Sequence, residues 1–263
     1  MAKQVAVTVV FGRHAEELDV TFSSFGKFTD YELHAFVIGD KLPVNRVEGI
    51  HYHLKQPDDS YVTRIRDADF RRWLFIDELD AEYALVVDGR DVLCLKPLPS
   101  IPDLLKGCAI GASMEHPGGR YVIEGIYCGN FVNAGVTFWD IRKSRHIRQH
   151  IIDHGSRTYR NDVDDQLSLN EVVYTQYIDD LMILPCIYNY RAYLGRSVKG
   201  WPTTSSFDGV RIYHHDECLK ALEIPQIADR IELPKLPPDT ESPGRFGQFM
   251  RKVRQRMKPH LIR

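Results

Sequence analysis

The sequence predicts an α/β fold, a single domain built on a mostly parallel mixed sheet with helices on its faces. Short apolar runs recur along the chain with helical stretches between them, which is the alternation a parallel sheet requires. The run Tyr83–Asp88 is apolar up to its last residue, as a strand covered on both faces is. At 263 residues there is room for one large core or two small ones, and the unbroken alternation favours one.

Val5–Phe11 reads as the first strand and Leu18–Phe28 as the crossover helix leading to a second strand, Leu33–Gly39. Phe70–Leu79 reads as another crossover helix, and Tyr83–Asp88, Cys108–Met114 and Val136–Asp140 as strands. Asp164–Val173 begins a further helix with an acid in its first turn, where the macrodipole favours negative charge. Val210–His214 is the last apolar run. Pro234, Pro237, Pro238 and Pro243 then interrupt the chain, so residues 1–232 form the body, 233–244 a linker and 245–263 a tail. No internal repeat is present.

The charge is divided unevenly. Residues 245–263 hold seven basic residues and no acid, whereas the preceding 244 hold 27 basic and 36 acidic ones, a net of −9. An acidic body argues against a nucleic-acid partner, because phosphate binding needs a concentrated basic face. Five cysteines, odd in number and without a C-x-x-C pair, read as reduced thiols in a cytoplasmic protein. The chain enters its first strand too early for a signal sequence, and no run approaches the ~20 apolar residues of a membrane span. In the tail, Phe246, Phe249, Met250, Val253, Met257 and Leu261 recur near helical spacing among basic residues, the pattern of a basic amphipathic helix. Such a helix suits an anionic membrane surface at the cytoplasmic leaflet. Docking on the acidic body is the alternative.

The chemistry is concentrated where the strand Tyr83–Asp88 runs into Asp88-Gly89-Arg90-Asp91. A carboxylate at the end of a buried strand is costly unless a cation or several donors meet it. Ligands of open α/β sheets bind at the carboxyl ends of the strands, and hard divalent cations held there by carboxylates also hold phosphates. The bland alternative is a tight turn whose acids cap a helix and pair with Arg90. Four more polar signatures follow: Asn133-Ala134-Gly135-Val136, Asp165-Gln166 with Asn170, Leu184-Pro185 with Asn189, and His214 with Lys220.

Taken in this order, these residues resemble the GT-A glycosyltransferases, in particular the retaining enzymes of glycosyltransferase family 8. The resemblance runs from Val5 to about Leu222. It implies a GT-A catalytic domain, a Mn2+ or Mg2+ ion and a UDP-sugar as donor. Asp88 and Asp91 stand in place of the family's D-x-D motif, here spaced D-x-x-D, and His214, or its neighbour His215, in place of the third metal ligand. Lys220 lies at the offset of the lysine that holds the departing diphosphate. By the same resemblance Asn133, Ala134 and Gly135 approach the donor sugar, Asp165 binds its hydroxyls and Gln166 faces the anomeric carbon. Val10, Phe11 and Gly12 stand where the nucleotide is held, and Arg72, or Arg71, where an arginine binds the donor. The expected acceptor is a glycan, or a lipid-linked glycan where the tail meets a membrane, and the glycine- and aromatic-bearing loops 115–121 and 196–207 are candidates to shape its pocket. Two other classes compete. A sugar nucleotidyltransferase would need a glycine-rich loop after the first strand, where this chain has one glycine. A non-catalytic carbohydrate- or nucleotide-binding protein on the same fold would account for the altered acidic spacing.

Overall fold

The structure, a computed structural model, describes residues 2–16, 18–61, 63–115, 121–123, 126–128, 131–158, 164–191 and 209–214. His215, Lys220, the linker and the tail therefore lie outside the described residues. The elements run β1 (Gln4–Phe11), α1 (Ser23–Phe28), β2 (Glu32–Ile38), β3 (Ile50–Lys55), α2 (Arg64–Phe75), β4 (Tyr83–Asp88), β5 (Val92–Cys94), α3 (Ile101–Leu105) and β6 (Ile110–Met114). They continue with β7 (Tyr121–Ile123), β8 (Ile126–Cys128), β9 (Val132–Asp140), α4 (Ile141–Thr158), α5 (Asp164–Gln176), β10 (Leu181–Leu184), β11 (Tyr190–Arg191) and β12 (Ile212–His214).

Seven strands form the main sheet in the order β10-β6-β9-β4-β1-β2-β3. All neighbours are parallel except β9, which runs antiparallel to both β4 and β6. This is the mostly parallel mixed sheet that the alternation predicts. One face is covered by α2, α4 and α5, whose Phe70, Trp73, Ile147, Ile151 and Val173 bury against Val7, Val86 and Trp139 of the strands. The other face is covered by α1 and α3, through Phe25 and Leu105 against Leu85 and Phe138. Phe70 and Phe138 are at most 1 % exposed, and each such side chain contributes about 1.5–3 kcal/mol by leaving water. A small sheet, β11-β12-β5, stands beside the main one.

Several elements differ from the sequence expectation, each for a physical reason. The helix expected over Leu18–Phe28 is confined to Ser23–Phe28. Thr21 instead donates its hydroxyl to the carbonyl of Gly89 at 2.8 Å, tying this segment to the loop after β4. The helix expected from Phe70 begins at Arg64, because the side chain of Thr63 accepts the Arg66 N–H at 3.2 Å and caps it. Strand β9 starts at Val132, so Asn133, Ala134 and Gly135 lie within a strand and not before one. The 18-residue α4 has no counterpart among the expected elements. Its buried face carries Ser144, Arg148 and Gly155 among its isoleucines, which blurs the apolar stripe. Arg148 is accommodated there by Ser144, Asp77 and the carbonyls of Trp73 and Ile141.

Candidate active site

Strand register assembles the site. Val87 of β4 pairs with Val136 of β9, which brings Gly135 beside Asp88 at the carboxyl end of β4. Val92, directly after Asp91, pairs with His214, and His214 pairs in turn with Arg191. The small sheet thus carries a histidine and an arginine from late in the chain to the two acids. Two glycines permit the approach. A Cβ on Gly135 would stand 2.3 Å from Asp88 Oδ2 and 2.4 Å from His214 Cε1, and one on Gly89 would stand 2.4 Å from Val10 Cγ1. Only glycine fits at those positions without displacing a neighbour.

The resulting cavity, about 490 Å3, is lined by five carboxylates, Asp69, Asp88, Asp91, Glu115 and Asp165, against two guanidiniums, Arg72 and Arg191. Arg72 links two of these acids. Almost wholly buried, it bridges Asp88 through Nη1 and Asp165 through Nη2. Burial works against its charge, yet Asp88 and Asp165 outweigh that and raise its pKa. Burial likewise pushes the Asp88 carboxyl up, but the Arg72 guanidinium, with that of Arg191 beyond it, holds it well below the usual carboxylate range. For His214, burial dominates and lowers its pKa against the opposing pull of Asp88, so the imidazole is neutral near pH 7. Its Nε2 lies 3.5 Å from Asp88 Oδ2.

Behind the charged groups runs a hydrogen-bonded chain of amides. Asn133 Oδ1 accepts the Gly135 N–H at 3.0 Å and an Asn189 Nδ2 hydrogen at 2.8 Å, and Asn189 Oδ1 meets His214 Nδ1 at 2.9 Å. Asn133 Nδ2 donates to Glu115 and to Gln166 Oε1, which also accepts the Ala134 N–H at 2.9 Å. Asn170 holds α5 against β9 by accepting the Val132 N–H at 2.7 Å and donating to its carbonyl at 2.8 Å.

The structure therefore brings together Arg72, Asp88, Asp91, Asn133, Ala134, Gly135, Asp165, Gln166 and His214. Between the two candidate arginines it places Arg72 in the cavity, because Arg71 is bound to Asp67 at 2.8 Å and to the Gln56 carbonyl at 2.9 Å. Arg90 does not reach Asp88; it pairs with Asp91 at 3.2 Å. Val10 and Phe11 continue β1 beyond Val9, the partner of Asp88, Gly12 opens the 3-10 turn that follows, and none of the three lines this cavity. Among the described residues, no three His, Cys, Asp or Glu side chains form a group that could hold a metal ion. Asp88 and His214 converge, while Asp91 lines the same cavity. Arg191 carries no signal in the sequence; only its pairing with β12 brings it into the site.

Solved structures with the same architecture are glycosyltransferases. An active-site mutant of LgtC is 17 % identical with a TM-score of 0.56, the match covering 88 % of this chain and 97 % of that one. GlyE of Streptococcus pneumoniae is 16 % identical with a TM-score of 0.56, covering 81 % of this chain and 54 % of that one. Mouse xyloside xylosyltransferase 1 is 12 % identical with a TM-score of 0.54, covering 82 % and 98 %. No protein-family model and no curated protein sequence matches the chain. At these identities the likeness defines the fold, which is that of the GT-A glycosyltransferases.

Proposed function

We propose that the protein is a metal-dependent, retaining glycosyltransferase that moves a hexose from a UDP-sugar to a glycan or lipid-linked glycan. The observation that carries this reading is the cavity at the carboxyl end of β4, where five carboxylates face two guanidiniums. A diphosphate entering such a site would be repelled unless a cation accompanied it. Carboxylate oxygens and a neutral imidazole suit Mn2+ or Mg2+, and Asp88 and His214, 3.5 Å apart, fit two positions of such a site. Asp91, which lines the same cavity, is the proposed third ligand. When bound, the ion supplies positive charge to the diphosphate and its departing oxygen.

The chain's own groups do the rest. Arg72 keeps Asp88 ionised and ties Asp165 to it, so the donor's phosphate side and sugar side are set by one guanidinium. Asp165 and Asn133 are the proposed hydrogen-bonding partners of the sugar hydroxyls, with Ala134 and Gly135 giving it close access to the strand. Gln166 is the proposed group at the anomeric carbon, its orientation fixed by the Ala134 N–H. Lys220 is proposed to meet the leaving diphosphate. Retention of configuration, and UDP as the nucleotide, rest on the family 8 resemblance. We place the protein in the cytoplasm, with residues 245–263 on an anionic membrane surface. No helix among the described residues is long and apolar enough to cross a membrane.

One observation favours the non-catalytic carbohydrate-binding alternative: the Arg72 bridge satisfies Asp88 without any ion. Thermal stability with UDP, with Mn2+ and with both separates the two, because a ligand that binds only the folded state raises the melting temperature. A rise with both that exceeds the sum of the separate rises is expected. Asp91→Ala is then expected to lose that synergy and the Mn2+-dependent release of UDP from a sugar donor while keeping the wild-type melting temperature without ligands. Full metal-dependent turnover by this variant would remove Asp91 from the site.

A further inference from the structure

We infer that Asn189 is a positioning residue that fixes the His214 ring in its Nδ1–H form, so that Nε2 presents a lone pair beside Asp88. The direction of every hydrogen bond in the amide chain follows from one backbone group. The Gly135 N–H can only donate, so the Asn133 atom that it meets at 3.0 Å is the carbonyl oxygen. Asn189 approaches that same oxygen at 2.8 Å and must do so with its NH2 group. Its own oxygen is thereby turned to His214 Nδ1 at 2.9 Å, and a carbonyl oxygen facing a ring nitrogen requires the proton on that nitrogen. Nε2 is then the acceptor of the neutral ring. Arg191 Nη1, which can only donate, stands 3.1 Å from Nε2 and 3.2 Å from Nδ1, near both ring nitrogens, so it is Asn189 that decides between them.

Asn189 is held firmly enough for this task. It is 1 % exposed and closes the turn Cys186–Tyr188, its N–H donating to the Cys186 carbonyl at 3.0 Å. Nε2 and Asp88 Oδ2 therefore form a pair of electron donors 3.5 Å apart, an arrangement that a cation between them would stabilise. The same asparagine joins the histidine to Asn133 and, through it, to Gln166. The inferred role rests on the reading of His214 as a metal ligand; the ring's protonation pattern does not.

Long-range 1H–15N correlation spectra of the metal-free full chain at mildly alkaline pH, with the His214 signals assigned from a His214→Ala sample, read the ring directly. The Nδ1–H form is expected in the wild type. Asn189→Leu, which removes the acceptor, is expected to shift the ring toward Nε2–H and to weaken Mn2+ binding in the presence of UDP, followed by electron paramagnetic resonance, by roughly 10–100-fold. Should the leucine variant fail to fold, Asn189→Ser, too short to reach the ring, carries the same expectation. An Nε2–H ring in the wild type, or an unchanged ring and unchanged Mn2+ affinity in the acceptor-less variant, would overturn the inference. A wild-type Nδ1–H ring without any Mn2+ binding would instead sink the metal assignment and, with it, the role as a support for a ligand.

Discussion

Gly135 shows how much of this site depends on a missing side chain. A methyl group there would stand 2.3 Å from Asp88 Oδ2 and 2.4 Å from His214 Cε1, so both side chains would have to shift from the positions that Arg72 and Asn189 give them. If the site holds Mn2+ as proposed, Gly135→Ala is expected to reduce Mn2+ affinity and turnover at least 100-fold while lowering the melting temperature by only a few degrees, about 1 kcal/mol. A calorimetric titration beside a thermal melt would check it, and wild-type metal binding would refute the crowding argument. Asp88, Gly135 and His214 were legible in the sequence because each ends or interrupts an apolar run where chemistry collects. Arg191 was not, because nothing local distinguishes it from a solvated arginine. Asn189 stood in a recognisable signature, but its task is visible only through its two partners.

At the scale of elements, the edge formed by β2 and β3 carries a stack of imidazoles. His34 lies with ring centroids 5.1 Å from His51 and 5.2 Å from His53, and its Nδ1 is 2.9 Å from His53 Nε2. Burial, then the charges of His53 and His51, lower its pKa from 6.5 to about 4 against the opposing pull of Glu32. A depressed histidine binds its proton less readily in the folded state, so stability is full above about pH 6.5 and falls as pH drops toward about 4. The loss at pH 5 is expected to be about 2 kcal/mol, measured as a shift in the urea midpoint between pH 7.5 and pH 5, and His34→Leu should flatten that dependence. An equal shift in the variant would assign the acid sensitivity elsewhere. Strand β3 was hard to read for the same reason that it is interesting: Ile50-His51-Tyr52-His53-Leu54-Lys55 puts polar rings where a core strand would put aliphatic ones. Helix α4 is hidden in the sequence because its buried face includes an arginine whose charge is met by Asp77, with the carbonyls of Trp73 in α2 and of Ile141 at the helix's own start accepting its N–H groups.

For the whole molecule, the separation of charge between body and tail has its own consequence. If residues 245–263 lie on an anionic surface, removing them should abolish flotation with phosphatidylserine-containing liposomes, and raised salt should weaken flotation of the full chain. Equal flotation of both proteins would leave docking on the acidic body as the tail's role. The α/β class, the mostly parallel sheet and the strand that delivers Asp88 were determined by the sequence alone, because they depend on local apolar periodicity, which a chain carries wherever it folds. The tertiary structure alone decided that Arg72 and not Arg71 enters the cavity, that Arg90 turns to Asp91, and that Arg191 and Asn189 stand behind His214. Those outcomes depend on which strands pair and in what register, and pairing across more than a hundred residues is settled by the sum of the core's contacts, which no short segment contains.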